Sequence, residues 1–94
     1  MNNSLLNVFK ALSDDTRVEM VQYLLQKNEW SCHELSKKFS LSQPALSHHF
    51  GKLVNAGIIK ERKNGKQNFY SIDKKFLKTN GLDIHKIIKS SDKQ

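Results

Sequence analysis

The 94 residues amount to one domain's worth of chain, and 37% hydrophobic content allows a modest core. Sixteen Lys and Arg against nine Asp and Glu give a formal charge of +7, which points toward an anionic partner. No apolar run approaches the roughly 20 residues of a membrane span, the start MNNSLLNVFK lacks a secretory pattern, and the lone Cys32 excludes an internal disulfide, so a cytoplasmic protein is expected.

The stretch SLLNVFKAL places Leu5, Val8, Phe9 and Leu12 at helical spacing. SDD then supplies N-cap candidates and negative charge for a second helix, whose apolar face is Val18, Val21, Leu24 and Leu25. KNEW interrupts the pattern. Ser31, with Glu34 three residues on, forms a capping box for a short third helix through Leu35 to Phe39. Ser42 caps the fourth helix, and Pro44 falls in its first turn, where a missing N–H costs nothing. Leu46, Phe50, Leu53 and Val54 form that helix's buried face, and NAG ends it with Gly57 as the C-terminal cap.

The period then changes. IIKERK and KQNFYSI flank Asn64-Gly65, a strong hairpin signal. A two-residue Asn64-Gly65 turn sets Lys63 opposite Lys66 and Arg62 opposite Gln67, which makes the tip basic. A last helix is predicted from about Leu82 to Ile88, and the tail SSDKQ is expected to fray. Charge follows this division. Residues 1–51 carry five basic and five acidic groups, whereas residues 52–78 carry eight basic and two acidic. Such a block is what a polyanion-binding face looks like. The plainer reading is that the lysines only solubilise a small protein.

LSQPALSHHF, residues 41–50, combines serines with paired histidines and admits three readings. With Leu46 at 0° on a helical wheel of about 100° per residue, His48 falls near 200°, Asn55 near 180° and Lys52 near 240°. His48 therefore points away from the core, and Ser47 and His49 lie on opposite flanks. Catalysis needs a base beside the nucleophile and a third group orienting it, and no carboxylate or glycine-rich elbow accompanies Ser47. A metal needs converging ligands, commonly at i and i+4, and adjacent histidines diverge. The third reading is a polar helix tip that offers Ser42, Gln43, Ser47 and His48 to base edges and phosphates, against the bland alternative of a solvated face. Two helices joined by a tight turn and followed by a hairpin make a winged helix-turn-helix, mainly α with a β-hairpin wing, over residues 1–94.

Residues 5–90 resemble the ArsR family of bacterial winged-helix repressors. Asp14-Asp15-Thr16-Arg17 is similar to the family's D-x-T-R element, residues 41–50 to its recognition-helix motif with Phe50 in place of the usual Leu, and Leu53 to Ile59 to its L-x-x-A-G-[LI]-[VI] entry into the wing. The resemblance implies a homodimer on a near-palindromic operator. Its outer helices would pair through Leu5, Val8, Phe9, Ile84, Ile87 and Ile88. DNA would be met by Ser42, Gln43, Pro44, Ala45, Ser47, His48, His49 and Lys52 of the recognition helix and by Arg62, Lys63 and Lys66 of the wing. Arsenic-type members have cysteines two apart where this chain has Ser31 and His33, with Cys32 between them. Zinc-type members carry Asp-x-His, which Asp83 and His85 match, and a second ligand pair for which this sequence ends too early at Gln94. A member without a metal or cofactor is therefore expected, one that binds double-stranded DNA, represses transcription and, like some members, answers to a regulatory protein partner. The other class compatible with the residues is a winged-helix interaction module binding an acidic protein or RNA.

Overall fold

A computed structural model describes residues 3–92, with side chains from Leu5 to Ile88. Helix α1 (Asn3–Ala11) leads to α2 (Asp15–Leu24), strand β1 (Trp30–Ser31), α3 (Cys32–Ser36) and α4 (Gln43–Asn55). The chain then runs through β2 (Ile59–Asn64), β3 (Gln67–Ile72), α5 (Lys74–Thr79) and α6 (Ile84–Asp92). The three strands form one antiparallel sheet in the order β1-β3-β2. The architecture is a winged helix-turn-helix: α3 and α4 with their connecting turn, then the β2–β3 hairpin.

The caps form as their residue types dictate. The Asp14 side chain accepts from the Arg17 N–H at 3.1 Å and starts α2. Ser31 and Glu34 make the reciprocal capping box of α3, with bonds of 3.0 and 2.8 Å. That helix stops at Ser36 rather than Phe39, because Lys37 already occupies its C-cap. Ser42 caps α4 through the Ala45 N–H, and Pro44 stands in the first turn. At the far end Gly57, with φ +87°, closes a Schellman motif: the Gly57 N–H reaches the Val54 carbonyl and the Ile58 N–H reaches that of Leu53. A side chain at Gly57 would also strike the Phe76 ring at 2.7 Å, so α5 holds the joint between α4 and the wing.

Three features depart from the sequence reading. KNEW is not only an interruption, since Trp30 and Ser31 pair with Tyr70 and Phe69 as an edge strand. An unforeseen helix, α5, follows β3, capped by Asp73 accepting from the Phe76 N–H at 3.0 Å. The hairpin register is shifted: Asn64 pairs with Gln67, Lys63 with Asn68 and Arg62 with Phe69, so the turn residues are Gly65 and Lys66. An Asn-Gly turn of the expected kind needs positive φ at both central residues. Here only Gly65, at φ +63°, is positive, and no described non-glycine residue is. That is the requirement of a type II′ turn, which takes glycine first and leaves Asn64 in the strand.

The core is one cluster built from α1, α2, α3, α4, the sheet and the last two helices. Phe50 of α4 is stacked on Tyr70 of β3, 4.4 Å between ring centres, which ties the recognition helix to the sheet. Burial of each such large side chain supplies roughly 1.5–3 kcal/mol. Helix α6 begins at Ile84, after Asp83 caps it through the Lys86 N–H. No helix among the described residues is long and apolar enough to cross a membrane.

Candidate nucleic-acid interface

Helix α4 turns Leu46, Phe50 and Leu53 inward and leaves Ser42, Gln43, Pro44, Ser47, His48, Lys52 and Asn55 exposed, with Ala45 half-buried. The helix therefore presents hydroxyl, amide and imidazole groups over its first two turns, with no acid among them. The Ser42 hydroxyl accepts the cap bond, and its own proton remains for a further acceptor. Gln43 leans toward Cys32 of α3, with its Nε2 3.9 Å from the half-buried thiol.

His49, which by its position could either touch DNA or brace the helix, makes its contact within the chain. It is turned inward, and its Nδ1 lies 3.1 Å from the Arg17 Nη1. A guanidinium only donates, so this bond requires Nδ1 to accept and the ring proton to sit on Nε2. Arg17 also donates through Nε to the Ala11 carbonyl at 2.7 Å. Asp14 lies 3.9 Å from Arg17 and 4.0 Å from His49. Burial pushes the Asp14 carboxyl up, but the bonds from the Arg17 and Thr16 N–H groups and the charge of Arg17 outweigh it and hold it below the usual value. The cluster thus fastens α4 to the end of α1 and the start of α2. His49 braces the helix rather than facing out from it. Arg17, whose place in the D-x-T-R element was a signal, was not among the candidate residues.

The wing is similarly divided. Arg62 donates to both oxygens of Glu29, at 3.0 and 2.8 Å, and its guanidinium lies 4.6 Å from the Phe69 ring centre. The bond to Arg62 is the largest cause holding the Glu29 carboxyl below its ordinary value. Arg62 is therefore occupied within the chain, not a free wing cation. Lys63 and Lys66 are exposed and have no ion-pair partner among the described residues. Behind them the Tyr70 hydroxyl donates to Glu61 at 3.0 Å, and burial together with that bond raises its phenol.

The expected pairing residues separate into two groups. Val8, at 0% exposure, and Ile84 and Ile88, at 6% and 5%, belong to the chain's own core, so they do not line a free stripe. The helical spacing holds, but the face carrying Val8, Ile84 and Ile88 is consumed internally. Leu5 and Phe9 are exposed, Phe9 at 53%, and Leu6 joins them. Ile87 is half-buried. As for metal donors, Cys32 and His33 sit at the start of α3 and Asp83 and His85 at the start of α6, and among the described residues no three His, Cys, Asp or Glu converge.

Residues 14–61, which span α2 through the first three residues of β2, match the family described as bacterial regulatory protein, arsR family. A cadmium resistance transcriptional regulatory protein of Staphylococcus aureus is 42% identical over 76% of this chain, which spans 59% of that relative's length. The transcriptional repressor SdpR of Bacillus subtilis is 34% identical over 71% of this chain and 73% of its own. The solved structure of HlyU from Vibrio cholerae superposes with a TM-score of 0.76 at 30% identity, covering 93% of this chain and 90% of that one. The helix-turn-helix, the tether of Arg17 to His49 and the basic hairpin all fall within or beside the matched span, and the chain belongs to the arsR family of bacterial regulatory proteins.

Proposed function

We propose that this chain is a sequence-specific regulator of transcription, a repressor that binds a near-palindromic duplex operator as a homodimer. The observation that carries the reading is the exposed first half of α4. Gln43, Ser47 and His48 stand on a rigid helix with no acid beside them, and Lys63 and Lys66 lie at the tip of the following hairpin. In this reading Gln43 and Ser47 meet base edges in the major groove, and the lysines meet phosphates. The start of α4, with its positive dipole end, favours a phosphate as well. The relatives named as a cadmium resistance regulator and a transcriptional repressor point the same way.

Dimerisation rests on Leu5, Leu6 and Phe9, three exposed apolar side chains on one short helix. A chain this small gains by covering them. Sedimentation at micromolar concentration should give a dimer, and Phe9→Glu a monomer with weaker operator binding. A wild-type monomer would rule out the palindromic site.

Selection of bound duplexes from a random pool is the direct test. One enriched, inverted-repeat sequence is expected. No enrichment, with equal retention of RNA, would leave a general polyanion-binding module instead.

A further inference from the structure

The seam between α1 and α4 carries a cavity of about 300 Å³ lined by both polar and apolar surface, separate from the tip of the recognition helix and from the wing. Its walls come from matching positions on the two helices. Helix α1 supplies Asn7, Lys10 and Ala11, and α4 supplies Lys52, Asn55 and Ala56, each set spaced i, i+3, i+4 and so on one face. The alanines are buried or nearly so and let the helices approach, while the long polar chains stand around the opening. Arg17 completes the lining and is fixed in place by its bonds to the Ala11 carbonyl and His49.

Two properties set this cavity apart from an ordinary lysine-bearing surface. Its lining holds three cations and no acid. Asp14 is not part of the wall, but it pairs with Arg17 at 3.9 Å, which leaves Lys10 and Lys52 as the lining cations without a carboxylate partner among the described residues. Moreover, Asn7, Lys10, Lys52 and Asn55 donate no side-chain bond to any described residue. Like charges held around one opening repel, and the repulsion is relieved by an anion that several donors can share. A tetrahedral oxyanion accepts from ammonium, guanidinium and amide groups at once.

We infer that this cavity is a phosphate-binding site and that its occupant is a backbone phosphate of duplex DNA, beyond the base contacts of α4. This rests on the DNA-binding reading above. The placement follows from the helix itself. Lys52 and Asn55 share the outward sector of α4 with His48, so a helix lying in the major groove carries the cavity to the groove's edge, where backbone phosphates run. The site lengthens the footprint and fixes the angle at which α4 enters, without reading sequence.

The test is a set of operator titrations across a salt series. Wild-type protein is compared with Lys10→Gln and Lys52→Gln, whose exposed side chains leave the fold intact, and with the wing variant Lys63→Gln as reference. Each cavity variant is expected to lower the slope of log K against log salt by roughly 0.9 per subunit. Replacing one backbone phosphate per half-site with a methylphosphonate, scanned along the operator, should find a position that weakens wild-type binding and has no further effect on Lys10→Gln. If Lys63→Gln weakens binding but Lys10→Gln and Lys52→Gln leave affinity and slope unchanged, the cavity proposal fails and the DNA-binding reading stands. If none of the three matters, the DNA-binding reading itself fails. Inorganic phosphate that binds at millimolar levels without any phosphonate-sensitive position would mark a free-anion site and overturn the assignment to DNA.

Discussion

The recognition helix and the hairpin that follows it both put polar side chains into solvent, but they hold them in opposite ways. On α4 the outward Ser47 and His48 side chains make no hydrogen bond to a described residue, Gln43 has only a 3.9 Å contact with the Cys32 thiol, and the scaffold beneath them is fixed: His49 is tied to Arg17, and Phe50 is stacked on Tyr70. On the wing, one of the most outward cations, Arg62, is already paired with Glu29, and the tip lysines stand on a thin two-stranded extension. Directional readout needs rigid donors at set positions, whereas charge neutralisation tolerates loose ones. The difference suggests that α4 discriminates and the wing adds affinity.

Removing the shared support should break both regions. Phe50→Ala deletes the ring between α4 and β3, and a cost of about 3–5 kcal/mol is expected in chemical denaturation. For a domain of this size that approaches the whole folding free energy. A loss below about 1 kcal/mol would mean that the stack does not join the two elements.

The wing side of the comparison can be sharpened by freeing Arg62. Glu29→Gln removes the carboxylate that holds it and leaves the guanidinium available to a phosphate. Binding should tighten on specific and random duplexes alike, with a salt slope steeper by up to about one unit per subunit. Weaker binding would instead make the pair a brace that DNA contact needs intact.

A smaller effect concerns acid. Glu34 is held at about 2, chiefly by its bond to Lys27 and then by the Ser31 backbone N–H. A carboxylate lowered in the folded state stabilises the fold fully above its ordinary value near 4.5, and that contribution is lost as pH falls toward 2. Thermal melts of Glu34→Gln and wild type should therefore differ at pH 6 and converge near pH 2. Equal gaps at both pH values would remove Glu34 from the acid response.

Local signals were legible in the sequence. Asp14, Ser31 with Glu34, Ser42 with Pro44, and Gly57 each act within a few residues, and each sits where its chemistry placed it. The apolar face of α4 likewise followed from spacing alone. Strand β1 was not legible, because two residues carry no period and exist as a strand only by pairing with Tyr70 and Phe69. Helix α5 left a readable trace, since Asp73 caps it and Asn80 and Gly81 end it, but its six residues were too few to show a stripe. The hairpin register turned on whether Asn64 would take positive φ, and dipeptide preference does not decide that. Partners such as Glu29 for Arg62 and Arg17 for His49 lie more than thirty residues apart in sequence, and only the packed chain brings them together. The same applies to Val8, Ile84 and Ile88, whose stripes were visible but whose covering was not.

The division of labour between helix and wing is tested most directly by one ratio, the affinity for the best selected duplex over that for a scrambled one, measured at fixed salt for Gln43→Ala and Lys63→Gln. Gln43→Ala should lose on the order of 1–3 kcal/mol on the selected site and far less on the scrambled one, so its ratio collapses. Lys63→Gln should weaken both duplexes alike and keep the ratio near that of wild type. If the two variants lower affinity equally on both duplexes, α4 does not read the sequence and the account is wrong.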